Sequence, residues 1–445
     1  MKNTRANSTP GRYEQGYFEY FSFLLCLNRY QIEHKEWLES CFHNSIGPEH
    51  PKFLDAVEIR ALLMHEATHF LDLTTTAWGH EYTVRKALLM DKIRSGQPCH
   101  RQLSVFRLNT AEIEVHRALL EASKTSLEGC ELQHCLRTDE TYGPHIAIVY
   151  SHSQTIKHVV PLSMLAVIEG HATANEVIRK ILDISRLDTI PRRISMSQIE
   201  DEFDKHLFDP AMTEYTSLLY LLRIHFRDFT LLELLQAFSA IARFSLDIDS
   251  LDMAMLADFV GFAPTSSGTV LAMDMRRGSS RAVICFKTIL FIYEWIQDNP
   301  RQEASRLALF KGTPSSAIQE SWEARGMKFL GAFAKNIEFQ ASITTLKSLE
   351  AYPDHEIISQ SMQHNSKKLL QSAAGTYEFS DLCLLDFMLT EDMTCVTAPL
   401  SMTPAASDLF ENHYDIVSKV NAIYRDSSDA KFFMPIQNIQ GALYL

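Results

Sequence analysis

Apolar and polar residues along this chain fall mostly into a helical rhythm. After Pro51, up to about Thr75, there is neither glycine nor proline, and Leu, Ala, Met, Glu and His dominate. That composition predicts a long helix, with Trp78-Gly79 marking its exit. A second helical stretch covers roughly 79–94 and stops at Ser95-Gly96-Gln97-Pro98. Residues 1–16 are polar and read as loose. The run from 17 to 43, starting Tyr17-Phe18-Glu19-Tyr20-Phe21, reads as an aromatic-rich helix that ends before Asn44-Ser45-Ile46-Gly47-Pro48.

Between about 100 and 160 the period shortens to two. Leu103-Ser104-Val105-Phe106-Arg107-Leu108 alternates as a half-buried strand does. The segments 145–150 and 155–160, joined by Ser151-His152-Ser153-Gln154, read as a β-hairpin, with a helix at 111–124 lying between these strands. Pro161 suits the first residue of another helix running to about Asp183. Beyond Met196 the helical period returns, at 213–226, 230–243 and 282–297 among others. A Gly- and Ser-containing loop from Gly261 to Ser280 interrupts it, and the last twenty residues are weakly patterned. No repeat or low-complexity tract is visible. The expected fold is mainly α with a small antiparallel β element. It divides into an N-terminal helical segment (1–50), a core carrying the small β element (51–190) and a helical C-terminal region (191–445).

Composition narrows the classes. With 46% hydrophobic and 22% charged residues over 445 positions, the chain can bury a large core. Only 16 glycines and 15 prolines argue against a many-turned β fold. A formal charge of -13 repels nucleic-acid phosphates. The short basic runs Arg192-Arg193, Arg276-Arg277 with Arg281, and Lys367-Lys368 lack interleaved aromatics, so no nucleic-acid partner is expected. Eight cysteines without a framework pattern suit a reducing compartment. Cys130 and Cys135, with His134 between them, resemble half a metal site without a second half, and read as ordinary thiols near a loop. Glu19 interrupts the N-terminal apolar run and no small-residue cleavage site follows it. No apolar stretch is long enough to span a bilayer. A cytoplasmic protein with no membrane partner is the expectation.

The densest chemistry lies in His65-Glu66-Ala67-Thr68-His69. Histidines four apart on a helix project from one face, about 5–6 Å apart at Cβ, and suit two corners of a tetrahedral zinc shell. The intervening Glu66 is placed to act as general base towards a zinc-activated water attacking a carbonyl. Arg60 to Met64 give the pentamer an apolar approach within the long helix. Thr75 stands where the metzincin pattern needs its third histidine, which excludes that class.

Catalytic zinc usually takes three protein ligands. Asp72, on the same face as His65 and His69, suits a carboxylate that orients a ligand imidazole rather than a ligand. The stronger candidate is Glu169, in Val167-Ile168-Glu169-Gly170-His171-Ala172-Thr173-Ala174-Asn175-Glu176. Glu169 and Glu176 lie two turns apart on one helical face, one suited to the metal and one to anchoring a ligand imidazole, and Gly170 admits close approach of another helix. This segment resembles the third-ligand helix of gluzincins, especially the M1 aminopeptidase family, with Glu169, Gly170, His171, Ala172 and Glu176 matching and Ile168 standing where that family has Asn. The resemblance implies Zn2+ held by His65, His69 and Glu169, and covers about 30 residues in two pieces. A far longer interval separates His69 from Glu169 here, and no Gly-x-Met-x-Asn stretch is present, so aminopeptidase specificity is not implied. In zincins a sheet edge pairs with an extended substrate, a place 103–108 or 145–150 could take. Tyr215, Tyr82 and His80 are candidates for stabilising an oxyanion, whereas His171 should face away from Glu169.

The leading expectation is a zinc-dependent metallopeptidase or amide hydrolase acting on a peptide or protein substrate. The alternatives are a helical interaction protein with a structural or vestigial zincin core, and a zinc hydrolase of a small non-peptide substrate.

Overall fold

The computed structural model describes residues 15–20, 22–96, 119–121, 125–140, 143–249, 252–253, 255–256, 269, 281–298, 309–311, 315–327, 350, 352, 354–403 and 408. Among these the strands are β1 (Gly16–Glu19), β2 (Leu24–Leu27), β3 (Glu131–Asp139), β4 (Gly143–His152), β5 (Thr155–Pro161), β6 (Cys383–Leu384), β7 (Phe387–Leu389), β8 (Cys395–Val396) and β9 (Leu400–Ser401). The helices are α1 (Lys35–Phe42), α2 (Phe53–Thr75), α3 (Ala77–Arg94), α4 (Met164–Ile184), α5 (Thr189–Leu207), α6 (Thr213–His225), α7 (Leu231–Asp247), α8 (Arg281–Asp298), α9 (Ser316–Glu323) and α10 (Asp354–Gln371). The protein is mainly α with a small antiparallel sheet, β3-β4-β5. The expected strand at 103–108 lies outside the described residues, as does the helix at 111–124 apart from 119–121 and the loop 261–280 apart from 269.

The chain forms two compact units that interleave along the sequence. The first comprises Met1–Thr110, Asn175–Met196 and Ser342–Ser428, and the second Ala111–Ala174, Ser197–Ala341 and Asp429–Leu445. One boundary falls inside α4, which is a single continuous helix.

In the first unit, the region expected as one helix over 17–43 is instead β1, β2, a 3-10 turn at Ile32–His34 and α1. Burial alternates with period two from Gly16 to Tyr20, which a strand satisfies and a helix does not. The chain reverses where Glu19 accepts hydrogen bonds from the Ser22 amide and hydroxyl, both at 2.5 Å, and Phe23 adopts φ +63°. β2 then pairs in parallel with β7, far along the sequence, giving the order β1-β2-β7-β8. The short strands β6 to β9 lie within the region read as helical. Phe42 seals this layer, its ring 4.9 Å from Phe379 and 5.3 Å from Phe387.

Helix α2 is the axis of this unit. Of its 23 residues 18 are buried, so it is a central helix rather than an amphipathic surface one. At its end the Thr74, Thr75 and Thr76 hydroxyls donate to the carbonyls of Phe70, Leu71 and Asp72 at 2.5–2.8 Å. These bonds compete with the helix ladder, and Thr76 turns extended, with ψ 156°. Gly79 sits in the first turn of α3, where a Cβ would lie 2.0 Å from the Leu73 carbonyl oxygen. Only glycine admits that approach. Helix α10 is tied to this pair through Thr74 and Ser361, hydroxyl to hydroxyl at 2.7 Å, and through the buried ion pair Lys86–Asp354 at 2.9 Å.

In the second unit, β4 and β5 form the expected hairpin, with Ser153 and Gln154 at φ +49° and +64°. That two-residue turn has the positive φ values that match strand twist. Pro161 ends β5 instead of opening the next helix, because it pairs in register with Ala147, and α4 starts at Met164. The stretch around Cys130 to Cys135, expected as a loop, leads into β3, which pairs with β4 along nine residues.

His158 on β5 is wholly buried, its Nε2 3.2 Å from the Thr213 hydroxyl. Burial pushes its imidazole down to about 4. A histidine held low in the folded state contributes full stability above its unfolded value near 6.5, and that contribution is lost as pH falls towards the folded value. Stability is therefore expected to fall by about 3 kcal/mol between pH 7 and 4 on account of this group. Urea midpoints against pH check it: the slope should flatten in His158→Phe, and an unchanged slope would assign the acid lability to other groups.

Candidate metal centre

His65 and His69 stand on α2, Glu169 stands on α4, and the second half of α4 runs antiparallel to α2. Their contacts step down one helix as they step up the other. Asn175 Nδ2 donates to the Thr68 hydroxyl at 3.2 Å, and Glu176 Oε2 meets His65 Nδ1 at 3.0 Å. Asp183 Oδ2 then accepts from Arg60 Nε at 2.8 Å. Glu169 stands on the same helix, two turns before Glu176. The ligand atoms of His65, His69 and Glu169 lie within 4.8 Å of one another. Among the described residues they form the group of side chains able to hold a metal ion.

Both imidazoles are oriented through Nδ1. His65 uses it for the Glu176 carboxylate, and Lys180 lies on the other carboxylate oxygen at 3.6 Å while pairing with Glu58 at 2.7 Å. His69 uses it for the Tyr20 hydroxyl, at 2.9 Å and buried. The two rings stand 5.0 Å apart at 77°. With Nδ1 engaged in each, Nε2 is the nitrogen that would face a cation. Two imidazole nitrogens and one carboxylate oxygen are the donor types zinc takes in a catalytic site, so the residues present fit that ion.

Glu66 is buried, at 4% exposure, and lies beneath β1. A Cβ on Gly16 would come within 3.1 Å of Glu66 Oε1, so the missing side chain leaves room for that carboxylate. Asp72 is fully buried one turn past His69 and is not among the three clustered ligands.

Each of the other candidates has contacts of its own. His80 Nε2 lies 2.9 Å from the Thr74 carbonyl oxygen, satisfying the end of α2. Tyr82 packs against Trp78 and Tyr20, with ring centroids at 6.0 and 6.4 Å. His171 Nε2 meets the Ser239 hydroxyl at 3.1 Å in the second unit. Tyr215 is half-buried on α6, its carbonyl beside Gly170. His134 stacks edge-on to Phe286 at 4.8 Å, and neither it, Cys130 nor Cys135 enters a metal-binding group among the described residues. Tyr20 was not singled out by sequence reasoning. Its only signal is the alternation of Gly16, Phe18 and Tyr20, which starts in β1 and runs one residue past it.

No protein-family model matches this chain, and neither does any curated protein or solved structure.

Proposed function

We propose that this protein is a zinc-dependent hydrolase of the metallopeptidase type, cleaving amide bonds in a peptide or protein substrate. The observation that carries the reading is the convergence of His65, His69 and Glu169, with the carboxylate of Glu66, the next residue after His65, also buried. Bound zinc supplies an activated water and polarises the scissile carbonyl. His65, His69 and Glu169 hold the ion, and Glu176 keeps the His65 ring in the tautomer that leaves Nε2 for it. Glu66 takes the proton of the attacking water and later returns it to the departing amine.

The same reading places the protein in the cytoplasm, without a nucleic-acid or membrane partner. Among the described residues no cysteine is in a disulfide and no helix is long and apolar enough to cross a membrane. The net charge of -13 supports the absence of a nucleic-acid partner.

Metal analysis and turnover of a quenched-fluorescence peptide mixture test the proposal together. Purified protein should carry about one zinc, chelation should stop turnover and zinc should restore it. His65→Ala should lose both metal and activity. Unchanged metal content in that variant would reject the ligand assignment. Full metal loading of the wild type without turnover of any peptide would favour the reading of a helical interaction protein with a structural metal.

A further inference from the structure

The geometry points to Tyr20 as a positioning residue of the metal centre: its hydroxyl fixes the His69 imidazole for coordination. The inference rests on the zinc reading above and adds a member to that site from the residue that follows β1, which the sequence motif does not contain.

The alternating burial of β1 continues one residue past its end, so Phe18 and Tyr20 are both buried. The Phe18 ring stacks on His69 at 6.4 Å and 20°, and Tyr20 lies 5.8 Å from it. Tyr20 is wedged in turn against Phe18 at 4.8 Å, and against Trp78 and Tyr82, each at 6.4 Å. The imidazole of His69 is therefore walled by aromatic rings, and its Nδ1 meets the hydroxyl at 2.9 Å. A ring that coordinates through Nε2 must carry its proton on Nδ1, and a buried N–H needs an acceptor. The phenol oxygen supplies one.

The two ligand histidines are consequently held by unlike partners. His65 has a carboxylate, which adds negative charge to the centre, whereas His69 has a neutral hydroxyl, which does not. With Glu66, Glu169 and Glu176 already present, a second anionic anchor would raise the desolvation cost of the empty site. A hydroxyl can also rotate, accepting from Nδ1–H when metal is bound and donating to bare Nδ1 when it is not. The contact thus survives loading and release of the ion.

Tyr20→Phe keeps the ring and its packing and removes only the oxygen. Zinc dissociation constants from chelator competition should rise about 10–100-fold in this variant. Melting temperatures with and without zinc separate positioning from packing. The metal-free melting temperature should stay close to wild type while the gain on adding zinc shrinks. In the wild type, nitrogen-15 spectra should show a protonated, hydrogen-bonded His69 Nδ1 on zinc loading, a readout that needs no variant. Zinc affinity within about twofold of wild type in Tyr20→Phe would overturn the positioning role and leave the metal site standing. So would an equal fall of both melting temperatures at unchanged affinity, or an unprotonated Nδ1 in the loaded wild type. Failure of the wild type to bind zinc at all would overturn the metal-site reading and this inference with it.

Discussion

Glu66→Gln is expected to lower kcat on peptides by about 10²–10⁴-fold while zinc content stays at the wild-type level. Gln keeps the length and planar shape of the carboxylate, so the space beneath Gly16 remains filled. What it loses is the ability to accept a proton at neutral pH, and a buried amide in that place cannot substitute as a base. His65, His69 and Glu169 are untouched, so metal binding should persist. The variant therefore separates holding the ion from using it. Inductively coupled plasma analysis of the purified variant, run beside its peptide turnover, gives both readings from one sample. Turnover equal to wild type would remove Glu66 from the chemistry. Loss of zinc would show that the side chain supports the site's architecture instead.

Such a test could be framed from sequence because α2 carries its information locally. An uninterrupted run of helix formers after Pro51 leaves little else for that segment to be, and the spacing of His65 and His69 follows from the helix repeat. The hairpin of β4 and β5 was legible for a similar reason, since alternation is a short-range signal. The N-terminal hairpin was not. Its reversal occurs at Phe23 in a left-handed conformation, without the Gly or Asn-Gly that would mark a turn, and β2 finds its parallel partner β7 some 360 positions on. The pairing of β3 escaped because most of its side chains are exposed on both faces and show no clean period. At the site, Glu169 was singled out by likeness to a known ligand helix and by its two-turn spacing from Glu176, not by its distance along the chain from His69. Tyr20 was invisible because its bond to His69 joins two elements whose packing no local pattern encodes. The buried charges binding α2 to α4 were missed for a physical reason. A sequence reading assigns Arg and Asp to solvent by default, and only the fold reveals Arg60, Arg179 and Asp183 nearly sealed from it.

Those charges set the other large expectation: Asp183→Ala should destabilise the protein by about 3–5 kcal/mol. Asp183 is fully buried and accepts from Arg60 Nε at 2.8 Å and Arg179 Nη2 at 2.7 Å. Arg179 also pairs with Glu378 at 2.8 Å and donates to the Tyr377 carbonyl at 3.3 Å, and Arg60 bonds Asn44. Burial already pulls the Arg60 guanidinium below its ordinary value, with Asp183 opposing the shift. Removing the carboxylate takes from buried Arg60 its anionic partner and leaves Arg179 only Glu378, and the cost is the stranded charge more than the lost attraction. The triple change Arg60→Met, Arg179→Met and Asp183→Leu, which removes all three charges, should therefore recover much of the stability lost in the single variant. Urea unfolding of the two proteins decides between the accounts. A triple variant no more stable than Asp183→Ala would mean that the ion cluster attracts more than its burial costs. The same clamp ties α2 to the second half of α4, where Glu176 meets His65 Nδ1. In Asp183→Ala, zinc affinity should then fall even under conditions where the chain is still folded.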